Sequence, residues 1–205
     1  KILLLSYLYD LSERQVVEFC NLNLAARLFL GLAVDSSIPD HSALTIFKKR
    51  LLENGQVDAY ERLLVEIIVV ARDAGVQFGA VQLVDSTHSV ADVNTLKDKH
   101  RQDKDCPPRD PDARTGCKGK RKVRDENGVE YMRAKYFFGY KCHASFNAQA
   151  QMITSLMVTP GNAYDGHYLL PLIHSDLEQG IAVQSCAADR GYDNGENHFS
   201  LQELG

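Results

Sequence analysis

Two short apolar runs, residues 81–84 and 183–188, each close on an aspartate, Asp85 and Asp189. What lies between them restricts how the two runs can meet. Residues 136–148 alternate and are rich in aromatics, residues 152–159 are β-branched, and 147–151 supply a turn that joins them as a hairpin. Residues 165–178 then carry Leu169, Leu170, Leu172, Ile173 and Leu177 at helical spacing, with Pro171 forcing a kink or a late start. Gly180 closes that helix, and residues 181–188 form the last strand. An antiparallel meander followed by a helical crossover returns the last strand parallel to the first. This order predicts a mixed α/β sheet in which Asp85 and Asp189 emerge at the same end, each where a buried strand meets a loop.

Before Gly79 the pattern is helical. Ser12 with Gln15 fits a capping box ahead of Val16, Val17 and Phe19, and apolar residues continue at helical spacing over 24–32. After a break at 35–39, Asp40 or Ser42 can cap a helix with Leu44, Phe47, Leu51 and Leu52 on one face, ended by Gly55. Lys48, Lys49 and Arg50 crowd its polar side, and a longer helix is expected over 57–74. Helix-turn-helix DNA binding and a packing or dimerisation role both fit such a bundle. The expected organisation is a helical domain over 1–78 and a sheet-bearing domain over 79–205, with a basic insertion at about 94–132.

Charge singles out that insertion. Residues 94–141 hold fourteen Lys and Arg against eight Asp and Glu, a net of +6, so the rest of a chain of net −4 carries −10. A local concentration of cations is an electrostatic footprint for nucleic acid. The competing expectation is a solvated, mobile insertion, because Pro107-Pro108, Asp110-Pro111 and the glycines around Lys118 discourage regular structure. No apolar stretch is long enough to span a bilayer and no signal peptide is evident, so a cytoplasmic location is the default expectation. The five cysteines contain no Cys-x-x-Cys pair, which argues for reduced thiols over a structural zinc site. The chain starts at Lys1 and stops within a helical pattern over 196–204, as expected of a segment cut from something longer.

Two carboxylates held together repel unless a cation balances them. Magnesium or manganese suits oxygen donors best, and a pair of such ions is the usual machinery of phosphodiester displacement. Taken singly, Asp85 could cap the turn at Ser86-Thr87, and Asp189 could pair with Arg190 or begin an Asx turn. Asp165 suits a helix N-cap and Asp193 a glycine-rich turn, so both read as structural. His88 could approach a metal or a phosphate, while the other histidines show no ligand spacing. There is no glycine-rich phosphate loop, Ser-His-Asp order or HExxH helix.

In order along the chain, Ile38-Pro39-Asp40-His41-Ser42-Ala43-Leu44, Phe47-Lys48-Lys49-Arg50-Leu51, Val84-Asp85-Ser86-Thr87, Gly139-Tyr140-Lys141, Val158-Thr159-Pro160-Gly161-Asn162 and Ala188-Asp189-Arg190-Gly191-Tyr192-Asp193 resemble the phrases of bacterial insertion-sequence DDE transposases. The resemblance implies an RNase-H-like catalytic fold, here incomplete at its C-terminal end, behind a helical domain. It implies that Asp85 and Asp189 are the first two acids of a DDE triad holding two Mg2+ or Mn2+ ions. The third acid, a glutamate on a later helix, is expected to be missing, since Glu196 and Glu203 follow Asp189 too closely. The substrates it implies are double-stranded DNA, both terminal inverted repeats and target DNA, acted on by a homodimer. Lys118, Lys120, Arg121, Lys122 and Arg124 would contact phosphates, and Arg114 would orient near the site or pair with Asp112. Lys48, Lys49 and Arg50 are the candidates for reading the repeats. A catalytically inactive remnant that only binds DNA and a non-transposase RNase-H-like nuclease stand as alternatives.

Overall fold

The computed structural model describes residues 1–54, 59–102 and 106–204. The chain divides into two compact units, Lys1–Arg62 and Leu63–Gly205. The division falls within a helix, whereas the change from helical to strand character comes at Gly79.

The first unit is built of α1 (Ile2–Leu8), α2 (Glu13–Leu22), α3 (Leu24–Leu30) and α4 (His41–Glu53). Ser12 caps α2 through the expected box: its hydroxyl accepts from the Gln15 N–H, and the Gln15 side chain accepts from the Ser12 N–H. The apolar run after Cys20 breaks at Asn23, whose side chain accepts from the Ala26 N–H and starts α3 as a separate helix. Gly31 ends α3 in the left-handed region at φ 81°. Asp40 caps α4 by accepting from the Ser42 N–H at 2.9 Å. Leu5, Val16, Cys20, Ala26 and Leu44 form the core. Phe47, expected on the inner face of α4, is half exposed, whereas Leu44 reaches the core. The proposed stop at Gly55 and start at Val57 lie outside the described residues. The next helix, α5, spans Ala59–Asp73.

The second unit is a five-stranded mixed sheet. Its elements are β1 (Val81–Val90), α6 (Thr95–Gln102), β2 (Arg114–Arg124), β3 (Glu130–Asn147), β4 (Met152–Pro160), α7 (Leu169–Glu178), β5 (Ser185–Ala188) and α8 (Gly195–Glu203). The strand order is β2-β3-β1-β5, with β4 also paired to β3. β1 runs antiparallel to β3, β3 antiparallel to β4, and β5 parallel to β1, which is the predicted meander and crossover. Three boundaries differ from expectation. β1 continues past Asp85 to Val90, because the polar residues after Asp85 keep pairing with β3 as far as Gly139. β5 begins only at Ser185, since Ile181 is spent filling the core where the chain leaves α7.

The third difference is the basic insertion, which is largely ordered as strand. β2 pairs with the first half of β3, with a bulge between Cys117 and Lys120 where Gly119 takes φ +73°. Glycines read as breakers are thus fitted to a bulge and to close packing. A Cβ on Gly116 would lie 2.1 Å from the Gly161 carbonyl oxygen.

Pro171 sits in the first turn of α7, after a 3-10 turn over Asp165–Tyr168, so the late start is the one that occurs. Leu169, Leu172 and Ile173 of α7 pack with Val84 and Tyr192 as the second core. No helix among the described residues is long and apolar enough to cross a membrane.

Candidate active site

β1 lies in the interior of the sheet between β3 and β5. Val81, Gln82, Leu83 and Val84 stand opposite Ser185, Cys186, Ala187 and Ala188 in parallel register. One residue further along each segment come Asp85 and Asp189. Parallel neighbours lie about 4.8 Å apart, and residues at one register position project to the same face. The backbone positions of Asp85 and Asp189 therefore follow directly on the last register pair, Val84 and Ala188. Gln82 and Val84 point into the core, which leaves Leu83 and Asp85 on the exposed side. Asp85 is held in mid-strand, a correction to the expectation that it ends its strand; Asp189 alone sits at a strand end.

Each aspartate is oriented locally. The Ser86 N–H donates to Asp85 Oδ1 at 2.7 Å, and the Gly191 N–H donates to Asp189 Oδ1 at 2.8 Å. Asp189 is thereby the N-cap of a 3-10 turn over Arg190–Tyr192. A side chain on Gly191 would press on both neighbouring acids: its Cβ would lie 2.9 Å from Asp189 Oδ1 and 3.6 Å from Asp165 Oδ2.

Tyr192, 3% exposed, roots this turn in the core. Burial pushes its phenol far up, its hydrogen bond with Ser86 works the other way, and the Asp165, Asp85 and Asp189 carboxylates push it further up. The neutral hydroxyl thus sits in the field of three carboxylates. Sequence reasoning passed over this second layer. Asp165 does not cap a helix, since Tyr164 occupies that position. Its Oδ1 accepts from Lys141 Nζ at 2.8 Å, and Lys141 also donates to the Ala163 carbonyl at 2.8 Å. Fully buried His143 lies 3.8 Å from the same oxygen, stacks on Tyr168 at 4.4 Å and reaches Thr159 Oγ1 at 2.9 Å. Burial lowers the His143 pKa, with Asp165 opposing and Lys141 assisting, so the ring is held neutral. The sequence signal was the phrase Gly139-Tyr140-Lys141, which places a lysine on a core strand.

The donor chemistry decides whether a metal fits. Asp85 and Asp189 commit one oxygen each to a backbone N–H and offer hard carboxylate oxygens at an exposed rim. Hard oxygen donors of this kind suit a hard divalent cation. Among the described residues, no group of three or more His, Cys, Asp and Glu is arranged to hold a metal by itself. His88 is not part of the pair: three positions along β1 it faces the other side, against Phe137 at 4.8 Å and Lys118 at 3.4 Å. Glu196 and Glu203 lie on α8, directly after the Asp189 turn.

The other predicted contacts are dispersed. Lys118, Lys120, Arg121, Lys122 and Arg124 line β2 and are exposed, with Arg124 3.2 Å from Glu130 across the ribbon. Arg114 turns back on its own loop and donates to the carbonyls of Pro111 at 2.5 Å and Ala113 at 2.8 Å. In the helical unit Lys48 forms an ion pair with Glu13 of α2, Lys49 pairs with Glu53 at 3.4 Å, and Arg50 is exposed near the end of α4.

The family described as a transposase domain (DUF772) matches residues 1–50, and the transposase DDE domain family matches residues 77–205. No solved structure matches the chain. Both matches are to transposases, which sets aside the non-transposase nuclease. The DDE family comprises polynucleotidyl-transfer enzymes that act on DNA and generally use divalent metal ions. Its match takes in the whole mixed sheet, including both aspartate-bearing strands, and the chain belongs to the insertion-sequence DDE transposases.

Proposed function

We propose that this transposase performs metal-dependent DNA strand cleavage and transfer at Asp85 and Asp189, nicking at terminal inverted repeats and joining the exposed ends to target DNA. What supports the reading is the parallel register of β1 and β5, which ends with Val84 opposite Ala188 so that the next residue of each segment is an aspartate. Asp85 and Asp189 would hold Mg2+ or Mn2+, two ions in the family arrangement, with water and phosphate oxygens completing the coordination. So bound, the metal would activate a water or a 3′-hydroxyl and stabilise the leaving oxygen. The residues of the chain supply the orientation. Backbone N–H groups aim both carboxylates, and Tyr192 ties the Asp189 turn to Ser86 and the core.

The third acid of the triad is assigned to none of residues 1–205. Lys118, Lys120, Arg121, Lys122 and Arg124 position DNA through phosphates, while Arg114, bonded to its own loop, serves to shape the entry to β2. Arg50 is the freest of the three basic residues proposed to read the repeats, since Lys48 and Lys49 have acidic partners. A homodimer acting in the bacterial cytoplasm, at the nucleoid, completes the reading.

The test is strand cleavage and transfer at inverted-repeat ends by protein from the intact reading frame. Asp85→Asn and Asp189→Asn are each expected to lower activity at least about 100-fold, the scale of several kcal/mol of lost charge stabilisation, with DNA binding kept. Wild-type rates in either variant would remove that residue from the site. Binding without cleavage by the unaltered protein would favour the inactive remnant.

A further inference from the structure

Resting on the DNA reading above, we infer that the β2–β3 ribbon enters the major groove of duplex DNA, with cations on both of its faces reaching opposite phosphate walls. Near the sheet the ribbon is packed, Gly116 against Gly161. From the bulge outward every β2 residue over 118–122 is exposed, and so are Tyr131, Met132, Arg133, Lys135 and Tyr136 of β3. Neither face of this arm is covered.

Register sorts its side chains. Arg121 stands opposite Arg133 on one face, with Val123 opposite Tyr131 and Lys135 two residues beyond Arg133. The other face carries Lys120 opposite Ala134 and Lys122 opposite Met132. Between Lys118 and Lys135 there are seven Lys and Arg against three Asp and Glu. A ribbon lying flat on one row of phosphates needs cations on one face only. Cations on both faces match a site flanked by two phosphate rows. The direct Arg121–Arg133 opposition points the same way, because like charges facing across a ladder are unfavourable until an anion lies nearby.

Size selects the groove. Inserted edge-on, a ribbon with long side chains on both faces is about 10 Å thick, which suits a major groove about 12 Å wide and exceeds a minor groove of about 6 Å. The arm therefore uses Arg133 and Lys135, which lie outside the basic cluster on β2, as further phosphate contacts. Tyr131 and Met132 lie toward its tip, where they meet base edges.

The experiment measures binding of protein from the intact reading frame to a duplex carrying the element's terminal repeat, over a range of salt. Arg133→Gln and Lys135→Gln should each weaken binding several-fold and flatten the slope of log affinity against log salt by about 0.9. Methylation of guanine N7, in the major groove, should interfere with binding, and methylation of adenine N3, in the minor groove, should not. Both substitutions are at exposed positions, and unchanged thermal melting will show that the ribbon is intact. If neutralising Lys118, Lys120, Arg121, Lys122 and Arg124 together leaves affinity unchanged, DNA contact by the ribbon is itself wrong. If that set matters but the Arg133 and Lys135 variants bind as wild type, or N7 methylation is silent, the ribbon lies on the backbone and groove entry is overturned.

Discussion

His143 shows how much of the site depends on one buried ring. It is fully buried among Thr159, Tyr168, Tyr192, Asp165 and Lys141, and burial holds its pKa below the ordinary value. The unfolded chain therefore binds a proton that the folded chain refuses. Stability from this residue is complete above about pH 6.5 and is lost as pH falls from there toward the lowered folded value. Replacing His143 with Gln should make the denaturation midpoint less sensitive to pH between pH 7.5 and 5.5 than in the wild type; parallel curves would show that His143 does not carry the effect. Asp165, which faces the same ring, reads from the sequence as a helix cap because aspartate before an apolar helical run usually is one. Its partners, Lys141 on β3 and the Gly191 turn, are remote in sequence, and local pattern carries no trace of them.

At the level of elements, legibility followed hydrophobic alternation. The pairing of β1 with β5 is readable because both runs are apolar and the crossover helix after the meander, α7 between β4 and β5, returns the chain parallel to β1. The second half of β1, from Ser86 to Val90, has no such period and extends only because β3 is long enough to pair with it. β2 was hidden altogether, since a run of lysines and glycines reads as loop until its partner strand is known. Its first residues depend on glycine for a different reason, close packing. Gly116 and Gly161 let β2 meet the turn after β4, and a Cβ at either position would collide with backbone oxygen. Gly116→Ala should cost about 2 kcal/mol or more in chemical denaturation, the order of an overpacked interior. Gly128→Ala, at a turn where a Cβ has open space, should cost about 1 kcal/mol for its backbone conformation alone, φ 83°. Equal losses at the two sites would mean that the junction is not tightly packed.

Over the whole chain, charge is segregated: +6 over residues 94–141 and −10 elsewhere. The sequence shows that division directly, because it needs only counting. Which acids act together is not a matter of counting: the order of the elements points to Asp85 and Asp189, and the register of β1 and β5 brings the segments that lead to them side by side. This gives the metal reading a test independent of catalysis. A ligand that binds only the folded state stabilises by RT ln(1 + [L]/Kd), so a divalent ion at ten times its Kd should add about 1.4 kcal/mol. Thermal melting in MgCl2 should therefore rise by a few degrees over NaCl of equal ionic strength, on the scale expected for a chain of this size. Asp85→Asn and Asp189→Asn should each abolish that increment, while exchange of an acid remote from the pair, such as Asp125→Asn in the ribbon turn, should leave it intact. An increment that survives in both site variants would mean that the ion binds the diffuse acidic surface, and the register of β1 and β5 would then have no metal to explain.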